Sequence, residues 1–155
     1  MDPMIKKIFQ IGIVTKDVKA MMKRYEEIYG IGGWVFTDGE AGFPPEKKAR
    51  NLVTRGVPGD FEISIATAKV GDMEIELIQP LDDVSDYAKF LREKGEGVHH
   101  LCIVADNERL TAAMNERGVP ELMSGTIPGV TRFVYFDSAP EIGMTIEFCG
   151  EPDLW

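Results

Sequence analysis

Four side chains able to bind a divalent cation stand at matched places in this sequence: Gln10, Glu76, His100 and Glu147. The run Phe9-Gln10-Ile11-Gly12-Ile13-Val14 aligns with His99-His100-Leu101-Cys102-Ile103-Val104, an offset of 90 residues (10 to 100). Met73-Glu74-Ile75-Glu76-Leu77 aligns with Met144-Thr145-Ile146-Glu147-Phe148, an offset of 71 (76 to 147). All four runs alternate as strands do, so Gln10 and His100 share one face and Glu76 and Glu147 lie opposite their apolar neighbours. A Glu flanked by apolar residues is ordinarily the wet side of an amphipathic strand; two at matched places, beside an imidazole and an amide, make a ligand set. One nitrogen and three oxygen donors suit Zn²⁺, Mn²⁺, Co²⁺, Ni²⁺ or Fe²⁺ with open positions for water or substrate oxygens. Such an ion would act as a Lewis acid on an oxygen-bearing substrate. Alternation also predicts that His99 and His100 point to opposite faces and cannot share one ion.

The elements that must position these groups follow from pattern. After the first matched strand, Asp17 can cap a helix that buries Val18, Met21, Met22, Tyr25 and Ile28; after its counterpart, Asn107 can cap one that buries Leu110, Ala113 and Met114 and ends near Gly118. Further strands are predicted at Gly33–Thr37, Phe61–Lys69, Glu121–Ser124 and Thr131–Asp137. The fold class is therefore α+β, two βαβββ modules packed side by side: residues 5–80, a linker helix within 81–97, and residues 98–150, read as one domain. The first module is longer between its matched strands by 19 residues (90 less 71). That surplus is assigned to a long loop at 38–60, rich in Gly, Pro and charge, with a strand near Asn51–Thr54. The linker helix keeps Val84, Tyr87, Ala88 and Leu91 in phase, with Asp83 or Ser85 as cap and Gly95 as stop.

At 155 residues with 44% hydrophobic and 28% charged side chains, the chain can bury a core without staples. A formal charge of −9 argues against nucleic acid or an anionic membrane as partner, because both are bound through Lys and Arg. No apolar run approaches a membrane span or a secretory leader, and two cysteines, Cys102 and Cys149, suit free thiols in a reducing, cytoplasmic setting. Their register places both in the cavity of the proposed ligands, as neighbours of the site or as small core residues. The one basic cluster, Lys47-Lys48-Ala49-Arg50 through Arg55, offers Arg50 and Arg55 as clamps for an anionic substrate; a solvated loop explains it equally well.

The opening FQIGIVTKDV, the run IELIQPLDDVSDYAKFLREKGEGVHHLCIVADN and the ending GMTIEFCG resemble the vicinal oxygen chelate superfamily, which includes glyoxalase I, methylmalonyl-CoA epimerase and bleomycin-resistance proteins. The likeness spans roughly residues 5 to 149. It implies a half-open barrel holding one divalent ion (Zn, Co, Ni or Mn) on Gln10, Glu76, His100 and Glu147, a set similar to that of some zinc-dependent glyoxalase I (lactoylglutathione lyase) enzymes. It further implies abstraction of a proton beside a metal-bound carbonyl, with Glu147 as leading base and Glu76 as its partner, on a small carbonyl compound such as a CoA or glutathione thioester or hemithioacetal. A homodimer is expected by the same resemblance. The middle run is closer to the epimerase, whereas the strand that carries a further acidic residue in epimerases reads GDFEISIATA here, with Asp60 and Glu62 nearby. Rival readings within the superfamily are an extradiol dioxygenase, for which Gln10 replaces a required histidine, a fosfomycin-modifying transferase, and a metal-free antibiotic-binding module.

Overall fold

The computed structural model describes residues 2–37 and 49–150. Its elements run β1 (Ile5–Val14), α1 (Val18–Tyr29), β2 (Val35–Thr37), β3 (Arg50–Thr54), β4 (Val57–Pro58), β5 (Ile63–Val70), β6 (Met73–Pro80), α2 (Asp86–Lys94), β7 (Gly97–Ala105), α3 (Asn107–Glu116), β8 (Glu121–Ile127), β9 (Thr131–Phe136), α4 (Ala139–Ile142) and β10 (Thr145–Gly150). All ten strands form one open sheet, ordered β2-β5-β6-β1-β7-β10-β9-β8-β3-β4. Within each half the first and last strands pair in parallel, β1 with β6 and β7 with β10; the halves meet where β1 and β7 pair antiparallel.

The register makes the repeat explicit. Gln10 faces Cys102 while Gly12 faces His100, and Gly12 pairs Glu76 as Cys102 pairs Glu147. Both offsets seen in the sequence, 90 and 71, are thus those of a pseudo-twofold. The strand near Asn51–Thr54 exists as β3, but it leaves its own half: β3 and β4 form a hairpin hydrogen-bonded to β8, at the far edge of the second half.

Both faces of the sheet are covered. On one, α1 lays Val18, Met21, Met22 and Tyr25 against Ala66, Ile75 and Leu77, while Leu110 and Met114 of α3 pack with Ile103, Val134, Phe136, Ile146 and Phe148. The other face carries Val14, Leu52, Ile78, Met123 and Tyr135, closed by Tyr87, Phe90 and Leu91 of α2 and by Phe61. Asp17 caps α1 by accepting from the Ala20 amide, and Gly30 ends it in the left-handed region at φ 66°. Ser85 caps α2, and Gly95 follows its last residue. Two expectations are corrected. The α3 cap is Asp106, not Asn107, whose side chain instead donates to the Cys149 carbonyl. Ile28 is 66% exposed, because α1 turns its last positions past the edge of the apolar stripe. No helix among the described residues is long and apolar enough to cross a membrane.

Candidate metal centre

The site forms where the two halves meet, on the face opposite α1 and α3. Glu76 on β6, His100 on β7 and Glu147 on β10 converge, with Gly12 of β1 beneath the imidazole. Strands β6 and β10 are three places apart, about 14 Å on a flat sheet. Even so, His100 Nε2 lies 3.4 Å from Glu76 Oε2 and 3.1 Å from Glu147 Oε2, so the face is concave there. His100 is fully buried and Glu147 nearly so. Although flanked by two carboxylates, His100 Nε2 is among the buried polar atoms that make no hydrogen bond of acceptable geometry. Such an orphan is costly in a protein interior. A divalent cation removes that cost: the three ligand atoms lie within 4.8 Å of one another, and one imidazole with two carboxylates is a donor set for Zn²⁺, Co²⁺, Ni²⁺ or Mn²⁺.

The expectation that His99 and His100 point apart is overturned. The β1–β7 register jumps from Gly12↔His100 to Ile13↔Val98, a β-bulge that sets two residues of β7 against one of β1 and breaks the alternation. Both histidines are buried, and His99 Nδ1 lies 3.1 Å from His100 Nδ1. Beyond it His99 Nε2 meets Asp86 Oδ2 at 3.1 Å, and Asp86 Oδ1 accepts from Arg55 Nη2 at 2.6 Å. Two tyrosines wall this row. Tyr135 sits edge-on to His100 with ring centroids 4.9 Å apart, Tyr87 packs 5.0 Å from His99, and the Tyr87 hydroxyl donates to that of Tyr135 at 2.7 Å.

Electrostatics separates the two carboxylates. Burial pushes both upward, and it prevails at Glu76, whose pKa is raised despite His100, with Glu147 and Glu74 adding to the rise. At Glu147 the imidazole outweighs burial and the pKa falls below the ordinary value. His100 itself is pulled down by burial, but Glu147 and Glu76 push it up to about 9 in the metal-free fold. His99 is lowered, chiefly by burial, and stays neutral near pH 7. In the metal-free fold the two carboxyls are thus shifted in opposite directions, Glu147 down and Glu76 up.

Three of the four expected ligands are thus brought together. The fourth, Gln10, is buried on the same face, and its amide nitrogen donates to Glu74 Oε1 at 2.7 Å. Arg55 is drawn to Asp86 by the hairpin that crosses to β8, and Arg50 lies exposed on β3 opposite Thr126. Lys47 and Lys48 fall outside the described residues. Asp60 and Glu62 are exposed ahead of β5. Cys102 and Cys149 are free thiols whose sulfurs approach to 3.8 Å, with Cys149 Sγ 3.9 Å from Glu147 Oε1. Sequence reading gave no site role to Gly12, Glu74, Asp86, Tyr87 or Tyr135, and it turned His99 away from the site. For Gly12 a signal existed, since a glycine inside a strand often marks a close approach; Asp86 resembles any acid in the first turn of a helix.

A curled sheet of paired βαβββ units with this cluster at the junction defines a class. The chain belongs to the Glyoxalase/Bleomycin resistance protein/Dioxygenase superfamily, whose family model matches residues 9–136. No curated protein matches it by sequence. Among solved structures it is similar to the methylmalonyl-CoA epimerase of Mycobacterium tuberculosis, with 20% identity, TM-score 0.63 and coverage of 94% of this chain and 88% of that one. A Streptomyces coelicolor methylmalonyl-CoA epimerase variant in complex with 2-nitronate-propionyl-CoA gives 23% identity, TM-score 0.65 and coverage of 94% and 96%. A methylmalonyl-CoA epimerase in complex with methylmalonyl-CoA and NH4+ gives 22%, 0.66, and 97% of each chain. At these identities the likeness is one of fold.

Proposed function

We propose that this protein is a divalent-metal-dependent enzyme that moves a proton at the carbon beside a carbonyl group, as an epimerase or a related isomerase or lyase. The observation that carries this reading is the convergence of Glu76, His100 and Glu147 within 4.8 Å. These three would hold the ion. Gln10 is the proposed fourth donor through its amide oxygen, which the Gln10–Glu74 hydrogen bond leaves free because it engages the nitrogen. When bound, the ion supplies Lewis acidity to the substrate's carbonyl oxygen and so acidifies the adjacent C–H bond.

Glu147 would take the proton from that carbon and Glu76 is its partner in returning one; each is ionised while it serves as a ligand and is available for proton transfer only when it loosens from the ion. Exchange with water then restores both carboxyl groups. Fold neighbours that bind CoA thioesters support a CoA thioester as the first substrate class to test, and a glutathione hemithioacetal follows. The reading includes a cytoplasmic homodimer, testable by sedimentation.

The deciding experiment incubates zinc- or cobalt-reconstituted protein in deuterated water with methylmalonyl-CoA and, separately, with hemithioacetals of glutathione and other thiols. Metal-dependent deuterium uptake by the first alone selects the epimerase. No exchange with any substrate, or no stoichiometric metal after reconstitution, refutes the reading; the second result favours a metal-free binding module.

A further inference from the structure

A buried chain of polar groups links the candidate centre to the inserted hairpin: His100 Nδ1, His99 Nδ1 at 3.1 Å, His99 Nε2 to Asp86 Oδ2 at 3.1 Å, and Asp86 Oδ1 to Arg55 Nη2 at 2.6 Å. Its direction is fixed at the far end. A guanidinium only donates and an ionised carboxylate only accepts, so Asp86 takes a proton from Arg55 on one oxygen and requires another on His99 Nε2. A neutral imidazole carries one donor and one acceptor. His99 Nδ1 is then the acceptor, and the proton in the Nδ1···Nδ1 contact belongs to His100. That leaves Nε2 of a neutral His100 as a lone pair facing Glu76 and Glu147, the form in which an imidazole binds a cation.

We infer that Asp86 and His99 are positioning residues that lock His100 in its metal-binding tautomer, and that Arg55 sets the direction in which Asp86 acts. This rests on the metal-dependent reading above. A purely structural role would make the same groups a buried pair tying α2 to the hairpin.

Asp86→Asn separates the two roles. Arg55 obliges the amide to turn its oxygen toward the guanidinium, so the amide nitrogen faces His99 and donates to Nε2. The chain then reverses: His99 Nδ1 carries the proton, His100 Nδ1 accepts it, and His100 Nε2 becomes an N–H aimed at the carboxylates. Loss of such an outer partner costs about 10–100-fold in metal affinity. Arg55→Ala in the Asp86→Asn background frees the amide to flip, restores the tautomer and regains most of that loss. A structural pair gives the opposite, a double variant no better than the single one.

The experiment measures zinc affinity by competition with a chromophoric chelator. In parallel, long-range ¹H–¹⁵N spectra of the zinc-loaded proteins locate the ring protons. The expected result is a proton on His99 Nε2 in the wild type and the double variant, and on Nδ1 in Asp86→Asn. Unchanged affinity in Asp86→Asn, or no rescue in the double variant, overturns the inference and leaves the metal reading standing. A wild type that binds no zinc overturns both. Should Asp86→Asn not fold, the wild-type spectrum still decides, because a proton on His99 Nδ1 refutes the proposed direction.

Discussion

Gly12→Ala tests the geometry of the centre with one methyl group. A Cβ on Gly12 would sit 1.9 Å from His100 Cε1 and 2.3 Å from each ring nitrogen. Carbon contacts settle at about 3.5–4.0 Å, so the ring must retreat by roughly 1.5–2 Å. It has little room to do so, with the Tyr135 centroid at 4.9 Å and that of His99 at 5.4 Å. A shift of that size breaks the 3.1 Å contact to His99 and takes Nε2 from its place between the carboxylates. The Gly12 backbone lies outside the left-handed region, so the substitution acts through space alone. Overpacking of this kind costs about 1–3 kcal/mol of stability, and displacing a ligand ring should weaken metal binding by about 10–100-fold, as loss of an orienting partner does.

Gly125→Ala is the matched control. Its Cβ would meet Leu52 Cδ2 and Phe133 Cζ, each at 2.6 Å, in the core away from the ligands. Equilibrium urea unfolding of the metal-free proteins should show a stability loss in both variants, while chelator competition should show lost affinity only in Gly12→Ala. Wild-type affinity in Gly12→Ala, or equal loss in Gly125→Ala, would refute the placement of His100 over Gly12.

Glu147→Gln should lower deuterium exchange by about 10²–10⁴-fold, the usual worth of a general base, and keep a native circular dichroism spectrum; near-normal exchange removes Glu147 as the base. Metal uptake should depend on pH. The His100 pKa is pushed up to about 9 without metal, and its proton must leave before Nε2 can hold a cation. Affinity should therefore rise about tenfold per unit between pH 7 and 9 and then flatten, with about one proton released per ion near pH 7; a pH-independent affinity contradicts this. The same shift has a sign for folding. A raised histidine pKa stabilises the metal-free fold fully below 6.5, and that contribution is lost as pH rises through 9, so chelator-treated protein should melt lower at pH 9.5 than at pH 6.5.

The sequence disclosed the repeat because strand alternation and residue type recur together: Gln10 with His100, and Glu76 with Glu147, fall at offsets that the sheet register reproduces. It did not disclose contacts set by an irregularity or by a crossing. The bulge at His99 cancels the parity rule on which its outward placement was based. Arg55 meets Asp86 only because the β3–β4 hairpin leaves its own half for β8, and no local pattern encodes that choice. The shift of the α3 cap from Asn107 to Asp106 is smaller: both residue types accept from a helix amide, so spacing alone could not rank them.

The internal symmetry also shows how two matched carboxyls come to differ. Glu76 and Glu147 are equivalent under the pseudo-twofold, so identical surroundings would give them identical protonation. Three substitutions across the axis break the tie: Gln10 stands where His100 does, Gly12 where Cys102 does, and Glu74 where Thr145 does. The imidazole lies closer to Glu147 than to Glu76, at 3.1 against 3.4 Å, and Glu74 adds a negative neighbour to Glu76 alone. One acid is thereby lowered and the other raised. Exchanging these neighbours, rather than the carboxylates themselves, is the economical route by which a duplicated scaffold gives two matched carboxyls different pKa values. It follows that Glu74→Thr, which restores symmetry at one of the three positions, should lower the Glu76 pKa toward that of Glu147. Carboxyl carbon chemical shifts followed through a pH titration of the metal-free protein would measure it, and an unmoved Glu76 would show that Glu74 does not contribute to the asymmetry.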